Sequence, residues 1–299
     1  MRREVASRKP ERGARAEARL AAIGAALEEV RARCDAEARR ENDPVGFVHR
    51  YADPGDRELV ALLASALAFG NVKALRAKIE DALERIGPSV AQAADEPAGL
   101  AQKLRGWKHR VYRAEDLTGL LVGARRVQRA RGSLGAALAE EMKREGDLRC
   151  ALAAWAQAIR REGGLDGDGA SGRRGGAHIL ADPNKGSAVK RLMLFLRWMV
   201  RPADGVDLGA WALPTSLLLV PVDTHIHKLS RNLGLTRRKD VSWKTAEEIT
   251  RALARYDAND PVKYDFSLCH LGMLQRCPSR RDPARCEGCG VQRVCRHWA

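Results

Sequence analysis

Apolar residues recur along most of the chain at spacings of three and four, the signature of helices with one face turned inward. From Arg15 to Glu41 the positions Leu20, Ile23, Leu27 and Val30 mark such a face, and Asp43-Pro44 closes the element. Glu58 to Phe69 reads ELVALLASALAF, apolar nearly all round, which predicts a buried helix ended by Gly70-Asn71. A further helix is expected from Val72 to Ile86, with Leu75, Ile79 and Leu83 inward and Gly87-Pro88 as its stop. Trp107-Lys108-His109-Arg110 precedes helical pattern that continues to about Arg160.

There the pattern breaks. Gly163 to Gly176, GGLDGDGASGRRGG, has the composition of a flexible inserted loop. Next, Asp182-Pro183 opens a turn, Gly186 allows a tight backbone, and Ser187 is placed to cap a helix. That helix has Val189, Leu192, Leu196 and Val200 on its core face and leaves Lys190, Arg191 and Arg197 charged. Residues 201–219 read as a second, irregular insertion. VDTHIHKLSRNLGL then gives a helix with Ile226, Leu229 and Leu233 inward. Ser242 caps another, whose inward face is Ala246, Ile249, Leu253 and Tyr256, and Asp260-Pro261 starts a further one. No strand alternation and no internal repeat stands out, so the fold class is all-α. The expected organisation is a basic flexible tail at 1–14 and a terminal lobe from 15–50 plus 195–299. Between them lies a helical lobe at 51–194, with the Gly-rich insertion at 163–177.

Charge sharpens this picture. Among 299 residues, Lys plus Arg number 53 and Asp plus Glu 38, a net charge of +15, which points to a polyanionic partner, with nucleic acid the first candidate. No apolar stretch is long enough to span a bilayer, and the basic N-terminus lacks the apolar middle of a secretory signal. A cytoplasmic monomer with no membrane partner is therefore expected.

Five of the seven cysteines crowd the end of the chain. Cys277, Cys286, Cys289 and Cys295 are spaced C-x8-C-x2-C-x5-C. A C-x2-C pair aims two thiolates at one centre from a tight turn, and the flanking cysteines complete four soft donors. Such a set suits zinc or an iron–sulfur cluster, and spacing does not separate the two. Cys269 falls on an apolar face with Val262 and Phe266 and reads as core, while His270 and His297 are substitute ligands of lower rank.

The C-x2-C-x5-C ending resembles the iron–sulfur loop of the endonuclease III family of helix-hairpin-helix DNA glycosylases, although the first gap is longer here. Pro221-Val222-Asp223-Thr224-His225-Ile226 resembles that family's V-D-T-H-I signature. The resemblance implies a 4Fe-4S cluster on the four cysteines, two helical lobes, DNA as partner, and Asp223 as the catalytic carboxylate. The family's hairpin is matched only in degenerate form by Pro183-Asn184-Lys185-Gly186-Ser187-Ala188. Ala188 occupies the place of the nucleophilic Lys of bifunctional members, and Leu67 that of a glutamine that probes the DNA stack. Across its whole length the chain is still more similar to a bacterial family of unknown function, the domain-of-unknown-function 2400 family. Gly186 to Arg201, Asp223 to Thr236, and Trp243 to Thr250 carry that likeness.

Each candidate has a functional and a plainer reading. A hairpin leading into a helix presents backbone N–H groups that bind a DNA phosphate without reading sequence, with Gly186 allowing close approach, Ser187 at the helix start, and Lys185 and Lys190 adding charge. It is also an ordinary helix start with solvated lysines. Asp223 would stabilise an oxocarbenium-like sugar or orient water beside a flipped nucleotide, with His225 near the substrate. Asp223 also fits a helix cap over the N–H groups of His225 and Ile226. Trp107, Lys108, His109, Arg110 and Tyr112 suit phosphate contact or base stacking, or else a surface corner anchored by Trp107. The resulting expectation is a monofunctional DNA N-glycosylase of base-excision repair, with no Schiff-base lyase route because Ala188 has no amine. The alternatives are a non-catalytic iron–sulfur module that recognises DNA structure and, further off, a zinc protein that binds RNA.

Overall fold

The computed structural model describes residues 8–166 and 175–298. In chain order its helices and strands are α1 (Arg8–Ala32), α2 (Ala36–Asn42), α3 (Val45–Val48), α4 (Pro54–Leu67), α5 (Val72–Ile86), α6 (Val90–Asp95), α7 (Pro97–Lys103), β1 (Lys108–His109), β2 (Tyr112–Arg113), α8 (Ala114–Arg131), α9 (Leu134–Glu145), α10 (Leu148–Glu162), α11 (Gly175–Ile179), α12 (Lys190–Val200), α13 (Thr224–Leu233), α14 (Trp243–Leu253), α15 (Asp265–Leu274) and α16 (Pro283–Cys286). The chain is thus mostly helical, and the one sheet among the described residues is the antiparallel β1–β2 pair. No described helix is long and apolar enough to cross a membrane.

Several boundaries follow directly from local chemistry. α5 spans the expected residues because the Asn71 side chain accepts from the Ala74 N–H at its start and Gly87, at φ +97°, ends it. Asp53, Ser133, Asp147 and Ser242 cap α4, α9, α10 and α14 in the same way. Elsewhere the structure departs from the pattern. The helix expected from Arg15 to Glu41 breaks after Ala32, and it begins at Arg8 within the expected tail. The hairpin at 108–113 was not expected, since two-residue strands are too short to show alternation. Pro261 lies in a turn, and α15 begins only at Asp265. The middle of the Gly-rich segment expected at 163–177 lies outside the described residues.

Two compact units result, one combining the chain up to Asp35 with the part from Val222 onward, the other covering Ala36–Pro221. The expected lobe boundaries at 50/51 and 194/195 both fall inside the second unit, the latter within α12.

The second unit is organised around a buried carboxylate. Glu58, 4% exposed, sits in the first half of α4, in the run read as apolar nearly all round. Its Oε2 accepts from Gln128 Nε2 of α8 at 2.7 Å and from the Leu134 N–H at 2.8 Å, and Oε1 accepts from the Gly135 N–H at 3.2 Å and Trp211 Nε1 at 2.7 Å. One side chain thereby satisfies two orphan donors of α9 and ties three helices to the segment that carries Trp211. Trp211 lies flat against Gly135, where an added Cβ would meet the indole at 2.7 Å, and it packs edge-on to Phe195 of α12, which stacks on Trp155 of α10.

Residues 201–219 are irregular, as expected, but they are part of the core: Val206, Asp207, Trp211 and Leu218 are all buried. Arg197 keeps its charge and is nonetheless buried, at 2% exposure, where it meets Asp207 at 3.2 Å. Arg201 bridges Asp207 and Asp204. Burial pushes the Asp207 carboxyl up, and the two guanidinium groups oppose that shift.

Removing the Glu58 carboxylate strands several donors in a dry interior, and each such group costs about 1–3 kcal/mol. Glu58→Ala is expected to lower unfolding free energy by at least about 3 kcal/mol, read as a fall in the urea midpoint at an unchanged slope. A loss of less than about 1 kcal/mol in the extrapolated unfolding free energy would show that water replaces the carboxylate.

Candidate functional site

The unit that includes residues 222–298 brings together Asp223, His225 and all four cysteines. Asp223 is the N-cap of α13, in extended backbone at φ −112°. Its Oδ1 accepts from the His225 and Ile226 N–H groups, each at 2.9 Å, so the cap reading is met in full. These two bonds fix the carboxylate's plane, and Oδ2 remains for other work. The Cys269 thiol lies 3.6 Å from Oδ2 and donates to it. Cys269 is half-buried and faces a carboxylate, unlike the core residue expected from its apolar neighbours. Their separation of 46 positions in the chain leaves no local signal of that contact. α13 and α15 pack closely where Gly272 sits: a Cβ there would come within 3.0 Å of Leu229 and 3.2 Å of the His225 Cβ.

The two substitute histidine ligands differ. His270 Nδ1 pairs with the Phe266 carbonyl at 2.9 Å, and the rings of the two residues lie 4.2 Å apart. His297 Nε2 is buried without a hydrogen-bond partner among the described residues. His227 Nε2 lies 3.1 Å from the Arg238 carbonyl, a structural contact.

Cys277 follows α15, Cys286 ends α16, and Cys289 and Cys295 flank a short 3-10 turn. Cys286 and Cys295 are buried, and Cys277 and Cys289 are half-buried. Burial pushes the thiols of Cys277, Cys289 and Cys295 up, and each is raised further by its cysteine neighbours. Cys289 and Cys295 act on Cys277, Cys286 and Cys295 act on Cys289, and Cys286 acts on Cys295, so the four sulfurs form one electrostatic group. Opposing that repulsion are N–H donors: Asn232 Nδ2 to Cys277, the Val291 and Gln292 backbone to Cys289, and the His297 backbone to Cys295. Cysteine sulfurs with N–H donors directed at them are, in donor type, a set that suits a group binding thiolates. Among the described residues no three His, Cys, Asp or Glu side chains stand close enough to hold a single metal ion. The loop docks on α1, where the Arg19 guanidinium bonds the Val294 carbonyl at 3.1 Å and Gly290 closes on Val30.

The expected DNA-contacting residues Lys185, Gly186, Ser187, Lys190 and Arg110 fall in the other unit. Asp182 accepts from the Asn184 N–H, a 3-10 turn covers Pro183–Lys185, and Gly186 takes the left-handed conformation at φ +84° with open space where a Cβ would stand. Lys185 is exposed. Ser187 does not cap α12, because its Oγ accepts from the Val189 N–H at 3.1 Å, ahead of the first helical residue, Lys190. Val189, at φ +37°, precedes the helix in a conformation that β-branched residues rarely adopt, and no side chain caps α12. Lys190 reaches back to the Ala68 carbonyl at the end of α4, at 3.2 Å. Ala188 is buried.

Arg110 forms the hairpin turn at φ +53°, exposed, with its guanidinium 5.6 Å over the Phe69 ring and against Gly70. Trp107 and Tyr112 are buried, at 2% and 0% exposure, and so are not presented for stacking on a base. The corner is anchored by Trp107, whose Nε1 bonds the Lys78 carbonyl at 3.2 Å, and by Tyr112, which bonds His178 Nδ1 at 2.7 Å.

The fold and these sites define a mostly helical chain of two compact units, one of which gathers a capping aspartate and a four-cysteine tail. The chain belongs to the family described as protein of unknown function (DUF2400), whose model matches residues 43–274. Asp223 and the 183–190 turn lie inside the matched region, and the four cysteines lie beyond it. No curated protein and no solved structure matches the chain.

The cap geometry gives a direct expectation. Asp223→Asn keeps an oxygen for the two N–H groups and should change stability by only a few tenths of a kcal/mol, whereas Asp223→Ala should cost about 1 kcal/mol. Thermal unfolding of the two variants checks this, and equal losses would mean that the charge, not the cap, holds α13.

Proposed function

We propose that this protein binds DNA and removes an altered base as a monofunctional N-glycosylase, with Asp223 as the catalytic carboxylate. The observation that carries the reading is the state of that side chain. Asp223 lies within Val222-Asp223-Thr224-His225-Ile226, is half-buried, and has its plane fixed through Oδ1 while Oδ2 meets the weaker thiol donor of Cys269. A carboxylate held in this way costs no reorganisation when positive charge develops on a sugar, and it can orient water toward the same carbon. The four cysteines would hold an iron–sulfur cluster that secures the terminal loop and presents its arginines to phosphates. Lys185, the open backbone at Gly186 and the uncapped start of α12 supply a second, sequence-independent phosphate contact. Ala188 offers no amine, so the chemistry ends at base release.

The full cap on Asp223 favours one other reading, in which the aspartate is structural and the protein is a DNA-structure-binding module without chemistry. Duplex oligonucleotides carrying a panel of damaged bases separate the two. The enzyme reading expects release of at least one base by wild type and a fall of about 100-fold or more in Asp223→Asn, with folding and DNA binding retained. An Asn variant as active as wild type would remove Asp223 from catalysis.

DNA affinity is expected to fall steeply with salt as phosphate contacts release counterions. Lys185→Ala should flatten the dependence of log affinity on log salt by about one unit. Lys190→Ala should instead reduce stability, since it uncaps the α4 carbonyl at Ala68. An unchanged slope in Lys185→Ala would exclude the turn as a phosphate site.

A further inference from the structure

A polar side chain from outside the terminal loop, Asn232, hydrogen-bonds one of the cysteine sulfurs. Asn232 occupies the next-to-last position of α13, and its Nδ2 lies 3.4 Å from Cys277 Sγ. A thiolate only accepts, so the amide must turn its NH2, not its oxygen, toward sulfur. The contact is built in from both sides. The Asn232 carbonyl accepts the Arg296 N–H at 2.8 Å, which clasps the residue after Cys295 to α13. Four residues earlier on the same helix, Lys228 Nζ holds the Cys277 carbonyl at 3.0 Å, and the Cys277 N–H returns to the Gly272 carbonyl of α15 at 3.1 Å. Cys277 is therefore fixed by its backbone on two helices and by its sulfur on a third group, the Asn232 amide. The other sulfur contacts named above come from backbone N–H groups, which substitution cannot remove; Asn232 is a side-chain donor that sequence can tune.

We propose that Asn232 is a positioning residue for an iron–sulfur cluster, aiming the Cys277 thiolate and partly neutralising it. The inference relies on the reading that the four cysteines hold such a cluster. Two consequences follow from the hydrogen bond. It holds the ligand in its bonded orientation, so the cluster is kept longer. It also withdraws charge from sulfur and so favours the more negative, reduced state of the group, which raises the reduction potential. α13 carries this amide near its C-terminal end and Asp223 at its N-cap, so the same helix meets the cysteine group and positions the candidate catalytic carboxylate.

The test uses full-length protein purified without oxygen, as wild type, Asn232→Asp, Asn232→Leu and Arg231→Ala. The last is an exposed change on the same helix that controls for a general effect on α13. Iron and acid-labile sulfide are measured first. Wild type is expected to hold about four of each per chain; a chain with neither, or with one zinc and no sulfide, overturns the cluster reading and this inference with it. The rate of cluster loss to an iron chelator and the midpoint potential are then compared. Asn232→Leu should lose its cluster about 10- to 100-fold faster than wild type and shift to a more negative potential. Asn232→Asp, equal in shape but bringing an acceptor to the sulfur, should shift further in the same direction even if the Leu variant does not fold. Arg231→Ala should match wild type. A wild type that holds iron and sulfide, with both Asn232 variants equal to it in rate and potential, overturns the role of Asn232 and leaves the cluster reading standing.

Discussion

A buried carboxylate must find donors or its burial is prohibitive, and in this protein Glu58 meets that requirement by organising the unit around itself. Its two oxygens draw in the start of α9, the middle of α8 and the Trp211 indole. The apolar faces that pack around these bonds could slide past one another, but four directional donors cannot. That constraint explains why Trp211 of the irregular stretch 201–219 is buried, and why Gly135 has no side chain where the indole lies. The Arg197–Asp207–Arg201 group carries buried charge along α12, with the more exposed Asp204 as the second carboxylate on Arg201.

The other unit uses the same device on a smaller scale and leaves something over. Asp223 gives one oxygen to the start of α13, and the second faces a thiol. At the far end of α13, Lys228 and Asn232 grip Cys277, while α1 receives the tail through Arg19 and, farther along, joins Lys263 and Tyr264 through Glu28. Held by α1, α13 and α15, the terminal loop buries Val291, Val294, Cys286 and Cys295. The family match ends before that loop.

Much of this was legible in the sequence where signals are local. α5 could be read to the residue, because Asn71 and Gly87 mark its ends and its apolar face is regular. The Asp223 cap could be read too, since its partners lie two and three residues away. What the sequence hid is long-range. Arg197 looked like an ordinary helix charge because its partner Asp207 sits in a segment with no pattern. Cys269 looked like core because the carboxylate it faces is distant in the chain. Glu58 was submerged in an apolar run, and only the packed structure shows which donors converge on it. Ser187 misled for a subtler reason: residue type fits a cap, but the turn at Val189 delays the helix past its reach.

The proposed role of Asp223, to meet positive charge on a sugar, can be tested before any lesion is identified. Duplex DNA carrying a cationic pyrrolidine in place of one deoxyribose mimics that charge, and a neutral abasic analogue of the same shape does not. If the account holds, wild type binds the cationic duplex at least about 100-fold more tightly than the neutral one, and Asp223→Asn loses the preference while still binding both. Equal affinity of wild type for the two duplexes would contradict it.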